Sequence, residues 1–79
     1  MPRYYFHLRN GAGFVEDEEG RDLPDPEAAR SEALKGVRSI LCEDVLGGVV
    51  DLRGSLEVVD QDGVRILLLP FAEAVEFRT

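Results

Sequence analysis

The sequence predicts an α+β fold: a small antiparallel sheet in the order β-β-α-β-β, with one main amphipathic helix packed on one face. Three observations predict it. Arg3 to Arg9 alternates apolar and polar residues, and Pro26 to about Leu46 carries apolar residues at helical spacing. Ser55 to Leu69 then holds two strand-like runs joined through Asp60-Gln61-Asp62-Gly63. Strands on either side of a single long helix give one layer of each kind.

In the first segment Tyr4, Phe6 and Leu8 point one way, while Arg3, Tyr5, His7 and Arg9 point the other. Aromatic enrichment with period two marks a half-buried strand. Asn10-Gly11-Ala12-Gly13 is a turn, because Asn and Gly accept positive φ at little cost. Phe14-Val15-Glu16 can then return as a short antiparallel strand. Gly20 breaks the acidic run that follows, and Leu23 anchors the chain before the helix.

The helix start is written in Asp25-Pro26-Glu27. Asp25 supplies an acceptor for the orphan N–H groups of the first turn, and Pro26 occupies the position where a missing N–H costs nothing. Glu27 sets negative charge against the positive end of the dipole. At 100° per residue, Ala29, Ala33, Leu34, Val37, Ile40, Leu41 and Val45 share an arc of roughly 160°, a core-facing stripe. Ser31, Glu32, Lys35, Arg38, Ser39 and Glu43 lie opposite; Arg30 and Asp44 intrude on the stripe only near its ends. Gly36 costs about 1 kcal/mol relative to Ala, and its place at the edge of the stripe suggests close packing. Gly47-Gly48 ends the helix with a residue free to adopt the left-handed cap.

Ser55–Val59 and Val64–Leu69 read as a hairpin. A three-residue loop pairs Val58 with Ile66, whereas a two-residue Asp62-Gly63 loop pairs Val58 with Leu67 and reverses the last strand's faces. Either way Ile66-Leu67-Leu68-Leu69 is apolar on both sides, and one helix covers one face. Pro70 stops the ladder. Beyond it, Phe71 to Val75 forms a helical turn, or Val75 and Phe77 alternate in an extended end.

Seventy-nine residues make one α+β domain, 1–79, near the lower end of chains that fold unaided on a hydrophobic core. Such a chain often gains from a partner surface. The net charge of −7 is local: seven of the sixteen acids lie between Glu16 and Glu27 against Arg21 alone, leaving nine acids and eight bases elsewhere. That balance argues against nucleic-acid phosphates as a partner. Cys42 is the one cysteine, so neither an intramolecular disulfide nor a Cys/His zinc site is available. The opening Met1-Pro2-Arg3-Tyr4 has no apolar leader, and nowhere do about 18 apolar residues run together. A cytoplasmic protein that does not contact the membrane is expected.

Candidate chemistry is sparse. His7 is the only histidine, and acid–base work there needs a nucleophile or orienting carboxylate in a cleft; a residue on the outer sheet face is the plainer reading. Glu16-Asp17-Glu18-Glu19-Gly20 lacks the alternate ligand spacing and flanking helices of a calcium loop, and reads as a solvated acidic turn able to meet a basic partner. Cys42 lies toward the helix C-terminus, where the dipole disfavours a thiolate; an inert, partly covered thiol is expected. Gly11-Ala12-Gly13 leads into no helix and is a plain turn. Arg3, Tyr5, His7 and Arg9 interleave cation and aromatic as single-strand nucleic-acid platforms do, but beside acidic neighbours a solvent or self-association face fits better. No catalytic residue, metal or cofactor is expected.

The chain resembles a family of small bacterial proteins, frequent in alphaproteobacteria, known as a domain of unknown function. The residues that carry the resemblance are Met1-Pro2-Arg3-Tyr4-Tyr5-Phe6-His7-Leu8, Asp17-Glu18-Glu19-Gly20 with Leu23-Pro24-Asp25, Glu27-Ala28-Ala29-Arg30 with Glu32-Ala33, and Asp60-Gln61-Asp62-Gly63 leading to Leu69-Pro70-Phe71. The resemblance spans almost the whole sequence, implies a complete unit and brings no activity. A weaker similarity, to antitoxins of the HicB type, implies masking of a small basic protein.

The expectation is a non-enzymatic interaction module, a homodimer that buries the second face of its sheet. Its interaction residues are expected to be Tyr5, His7, Leu67 and Leu69, or Ile66 and Leu68 in place of the two leucines if the register is shifted. The alternative is an acidic protein that binds a basic partner through Glu16 to Glu27.

Overall fold

Strand β1 (Arg3–Asn10) organises the sheet because both of its sides find partners. In the computed structural model, which describes residues 1–78, one side pairs along its length with β4 (Ser55–Asp60), from Tyr4 opposite Asp60 to Arg9 opposite Ser55. The other side is shared by two fragments. β2 (Gly13–Val15) pairs with Leu8 to Asn10, and β3 (Arg21–Asp22) pairs with Arg3 and Tyr4. β5 (Arg65–Pro70) pairs with β4 alone, giving the order β2-β1-β4-β5 with β3 on the outer side of β1. All pairs are antiparallel. The two-residue β3 has no counterpart in the sequence reading.

Helix α1 (Pro26–Gly47) begins and ends where its local signals place it. The Asp25 carboxylate accepts the Ala28 N–H at 2.8 Å. Gly48, at φ 88°, closes the other end as its N–H donates to the Val45 carbonyl while Val49 donates to that of Asp44. This pair of hydrogen bonds satisfies carbonyls the last turn would otherwise leave bare.

The core lies between α1 and one sheet face. Ala29, Ala33, Val37 and Leu41 meet Tyr4, Leu56, Val58 and Leu69, with Phe71 and Ala74 closing one end. Small residues in the first half of the stripe let the helix lie close to the sheet; Val37 and Val58 are fully enclosed. Each buried valine contributes about 1.5–3 kcal/mol relative to exposure. The stripe ends early. Val45 is 63% exposed, contrary to its expected place in the core, because a helix of 22 residues runs about 33 Å and outreaches six-residue strands of about 20 Å.

The hairpin combines both registers that the sequence allows. At its tip Gln61-Asp62-Gly63 forms a three-residue loop, closed by Asp60 N–H to the Val64 carbonyl at 2.9 Å, with Gly63 at φ 81°. Val59 then faces Arg65, but the next pair is Val58 with Leu67, so Ile66 is an extra residue. This bulge decides the fate of the apolar run. Leu69 is buried in the core and Leu67 packs against it, whereas Ile66 and Leu68 are 38% and 46% exposed. Leu67 and Leu69, expected as interaction residues, are thus committed to the helix; of the alternative pair, Leu68 faces away from the helix and Ile66 lines a groove beside its first turn.

After Pro70 the chain makes a single 3-10 turn, Phe71–Glu73, which settles the choice left open for this segment. Phe71 donates its N–H to the Gly54 carbonyl at 2.9 Å, and the Arg38 guanidinium donates to the Ala74 carbonyl at 2.8 Å.

Two glycines make opposite predictions. A Cβ on Gly54 would lie 2.5 Å from the Phe71 ring and 2.9 Å from the Arg9 carbonyl oxygen, so Gly54→Ala is expected to destabilise by about 1–3 kcal/mol. Gly36 has open space around it, which removes the packing explanation for its presence. Gly36→Ala is expected to stabilise by about 1 kcal/mol, raising Tm by roughly 4–8 °C. Thermal melts of the two variants check both signs.

Candidate interaction surface

Directly paired residues project to the same side of a sheet, which defines the face turned away from α1. Tyr5 sits opposite Val59, and His7 opposite Glu57. Next along, Arg9 faces Phe14, and Leu68 faces Glu57 from the far side. The surface is mixed rather than greasy. The Arg9 guanidinium lies 4.7 Å from the Phe14 ring centroid, and the His7 ring lies 5.6 Å from the same ring. Arg65 reaches Glu57 at 3.7 Å. Apolar exposure on this face is carried by Leu68 and Phe14, at 46% and 47%.

Tyr5 and His7 share an open depression of about 360 Å³ with Glu16, Asp17, Glu18 and Asp60. Its wall is built by Asp17, which fills the gap between β2 and β3. One Asp17 carboxylate oxygen accepts the Phe6 N–H at 3.0 Å, a β1 donor that neither fragment reaches. The other accepts the N–H groups of Glu19 and Gly20 at 3.2 and 3.1 Å. The Asp17 N–H in turn donates to His7 Nδ1 at 3.0 Å. An accepting nitrogen carries no proton, so the His7 ring holds its hydrogen on Nε2. His7 is therefore a structural acceptor that pins the acidic loop.

Gly20 completes the plug. At φ 69° it occupies the left-handed region, and an added Cβ would lie 2.9 Å from both the Tyr4 carbonyl oxygen and the Tyr5 ring. Arg3 clamps the loop from the other side, donating to Asp22 at 3.0 and 3.2 Å and to the Glu19 carbonyl at 2.8 Å. Arg21 lies 5.4 Å from the Phe6 ring centroid and meets Glu32 of α1 at 2.8 Å. The acidic run is thus an edge cap; of its three remaining carboxylates, Glu16 and Glu18 line the depression beside the hairpin tip and Glu19 lies outside it.

Partial desolvation pushes the Asp17 carboxyl up, but the N–H groups of Phe6, Gly20 and Glu19 together pull it below the usual carboxylate range. A larger depression of about 470 Å³ lies at the far end of the sheet, between Asn10, Ile40, Asp44, Arg53 and Phe71. The polar groups there are engaged: Asp44 accepts the Asp51 N–H at 3.2 Å, and the hydrogen bond from Arg53 holds Asp51 at about 2. Among the described residues, no group of three or more His, Cys, Asp or Glu side chains is placed to hold a metal ion, and no helix is long and apolar enough to cross a membrane. Cys42 is exposed, not partly covered.

The architecture defines a class, a one-helix antiparallel α+β layer with a capped edge and an open one. A family model for a domain of unknown function, DUF6894, matches residues 3–72, and the chain belongs to that family. No curated protein and no solved structure matches it.

Removing the cap tests its role. Asp17→Ala orphans the Phe6, Glu19 and Gly20 donors and is expected to cost roughly 1–3 kcal/mol. Because the folded carboxyl titrates below its unfolded value, its contribution is complete above about pH 4 and disappears as pH falls through the folded value. Urea melts at several pH values are expected to show this acid-limb loss in the native chain and a flatter limb in Asp17→Asn.

Proposed function

We propose that the chain is a non-enzymatic, cytoplasmic protein-interaction module that self-associates through its last strand and the adjoining outer sheet surface. One observation carries this reading. β5 is the terminal strand of the sheet, it bears an almost uninterrupted apolar run, and Ile66 and Leu68 on it are exposed. Natural sheets guard such edges with charge, proline or a covering element. Here Arg65 and Pro70 stand only at the ends of the strand, and the bulge at Ile66 leaves Leu67 to Pro70 regularly paired.

A second reading is favoured by the convergence of Glu16 and Glu18 with Asp60 around Tyr5 and His7. Acids from two distant segments would then receive a basic protein partner, with an aromatic and an imidazole beneath them.

Light scattering at micromolar concentration separates the two. Self-association gives a mass near twice the 8.8 kDa protomer, and Ile66→Glu with Leu68→Glu returns it to the monomer without loss of fold, since both side chains are exposed. A native chain that stays at 8.8 kDa overturns the first reading. The second predicts that a co-purifying basic protein is lost when Glu16, Glu18 and Asp60 are neutralised; retention of that protein overturns it.

A further inference from the structure

We propose that the occupant of the β5 edge is a second copy of this chain, paired β5 to β5 in antiparallel fashion about a two-fold axis, with Arg30 of each protomer meeting the partner's Glu27. The inference rests on the self-association reading above and specifies its geometry. Beside β5, under the first turn of α1, runs a shallow groove of about 270 Å³ floored by Ala29, Val58, Ile66 and Leu67. Glu27 and Arg30 form its rim, one helical turn apart. Both are exposed, and neither has an ion-pair partner among the described residues.

Six of the nine bases are in ion pairs, and Arg38 is spent on the Ala74 carbonyl. Arg30 is therefore a conspicuous free cation in an acidic protein, and it stands where it interrupts the apolar stripe. A rim that carries one charge of each sign is complementary to itself under a two-fold operation. A partner of uniform charge would meet one favourable contact and one repulsive contact there. A two-fold axis through the middle of β5 joins the sheets, puts both helices on one side, and turns the two grooves toward each other. Each contact then occurs twice, as any isologous interface requires. Unpaired N–H and C=O groups on the outer side of β5 supply the backbone bonds of the joined ladder.

The opposite edge is excluded from such pairing. β2 and β3 are three and two residues long, the intervening Phe6 donor is already taken by Asp17, and the loop between them bears Glu16, Glu18 and Glu19.

Charge reversal tests the arrangement. Glu27→Arg and Arg30→Glu, made singly, each turn two attractive contacts per dimer into two repulsive ones. Each is expected to weaken dimerisation about tenfold or more by sedimentation equilibrium, with unchanged circular dichroism. The double variant Glu27→Arg/Arg30→Glu restores the pairing and is expected to dimerise within about threefold of the native chain. A native dimer indifferent to the single reversals, or one that the double variant does not restore, overturns this geometry and leaves self-association standing. A monomeric native chain overturns both.

Discussion

A single helix must shield the sheet, and a helix has only one apolar stripe. Everything else in the molecule follows from how that stripe is spent. Ala29 and Ala33 bring α1 close over β4, where Val58 is fully enclosed opposite the equally enclosed Val37. Beyond Leu41 the strands end and, among the described residues, the helix keeps only the hydrogen bond from the Asp51 N–H to Asp44, so Leu46 is exposed along with Val45. The stripe therefore covers β4 and β5 and leaves the outward backbone of the two edges to other devices.

The two edges receive different devices. On the β1 side the ladder is broken deliberately: Asp17 stands in for a missing strand residue, and its carboxylate serves three backbone donors at once. On the β5 side an extra residue, Ile66, shifts the register so that Leu67 and Leu69 join the core. Without it, continuation of the tip register would have paired Val58 with Ile66 and turned both leucines away from the helix. The bulge thus rescues the core at the expense of an edge on which Ile66 and Leu68 remain in water. Local irregularity does the work that a second helix does in larger proteins.

Features set by adjacent residues were legible from the sequence. Asp25-Pro26 and Gly47-Gly48 marked the helix ends because caps are satisfied within a few residues. The alternation in β1 correctly put Tyr5 and His7 on the outer face and Tyr4 inside. Features settled at a distance were not legible. Asp17 serves Phe6, eleven residues away, and a run of acids looks solvated whether or not one member is engaged; the Asp-Glu-Glu-Gly spacing, an aspartate turning back onto its own backbone before a left-handed glycine, was the available clue. The hairpin register escaped for a related reason. Turn chemistry fixed the three-residue tip, while helix packing fixed the Leu67 and Leu69 end, and a bulge reconciled two demands that a single register fails to meet. β3 escaped because two residues carry no period.

The contrast between the edges also decides what kind of assembly the sheet permits. Strand addition at both ends of a sheet is heterologous and propagates without limit, the route to fibres. For that to happen here, the β5 edge of one copy would have to pair with the β1 edge of the next. That edge offers fragments of three and two residues, a central donor already bonded to Asp17, and three further carboxylates on the loop that bridges them. Bringing another acidic chain against them adds like-charge repulsion to the loss of ladder bonds. Pairing on β5 then has only another β5 to meet, and an edge that pairs with its own copy closes on itself after two protomers. On the proposed β5 pairing, Asp17 and its acidic neighbours would act beyond local stability, because a cap on one edge turns an open-ended template into a terminating one.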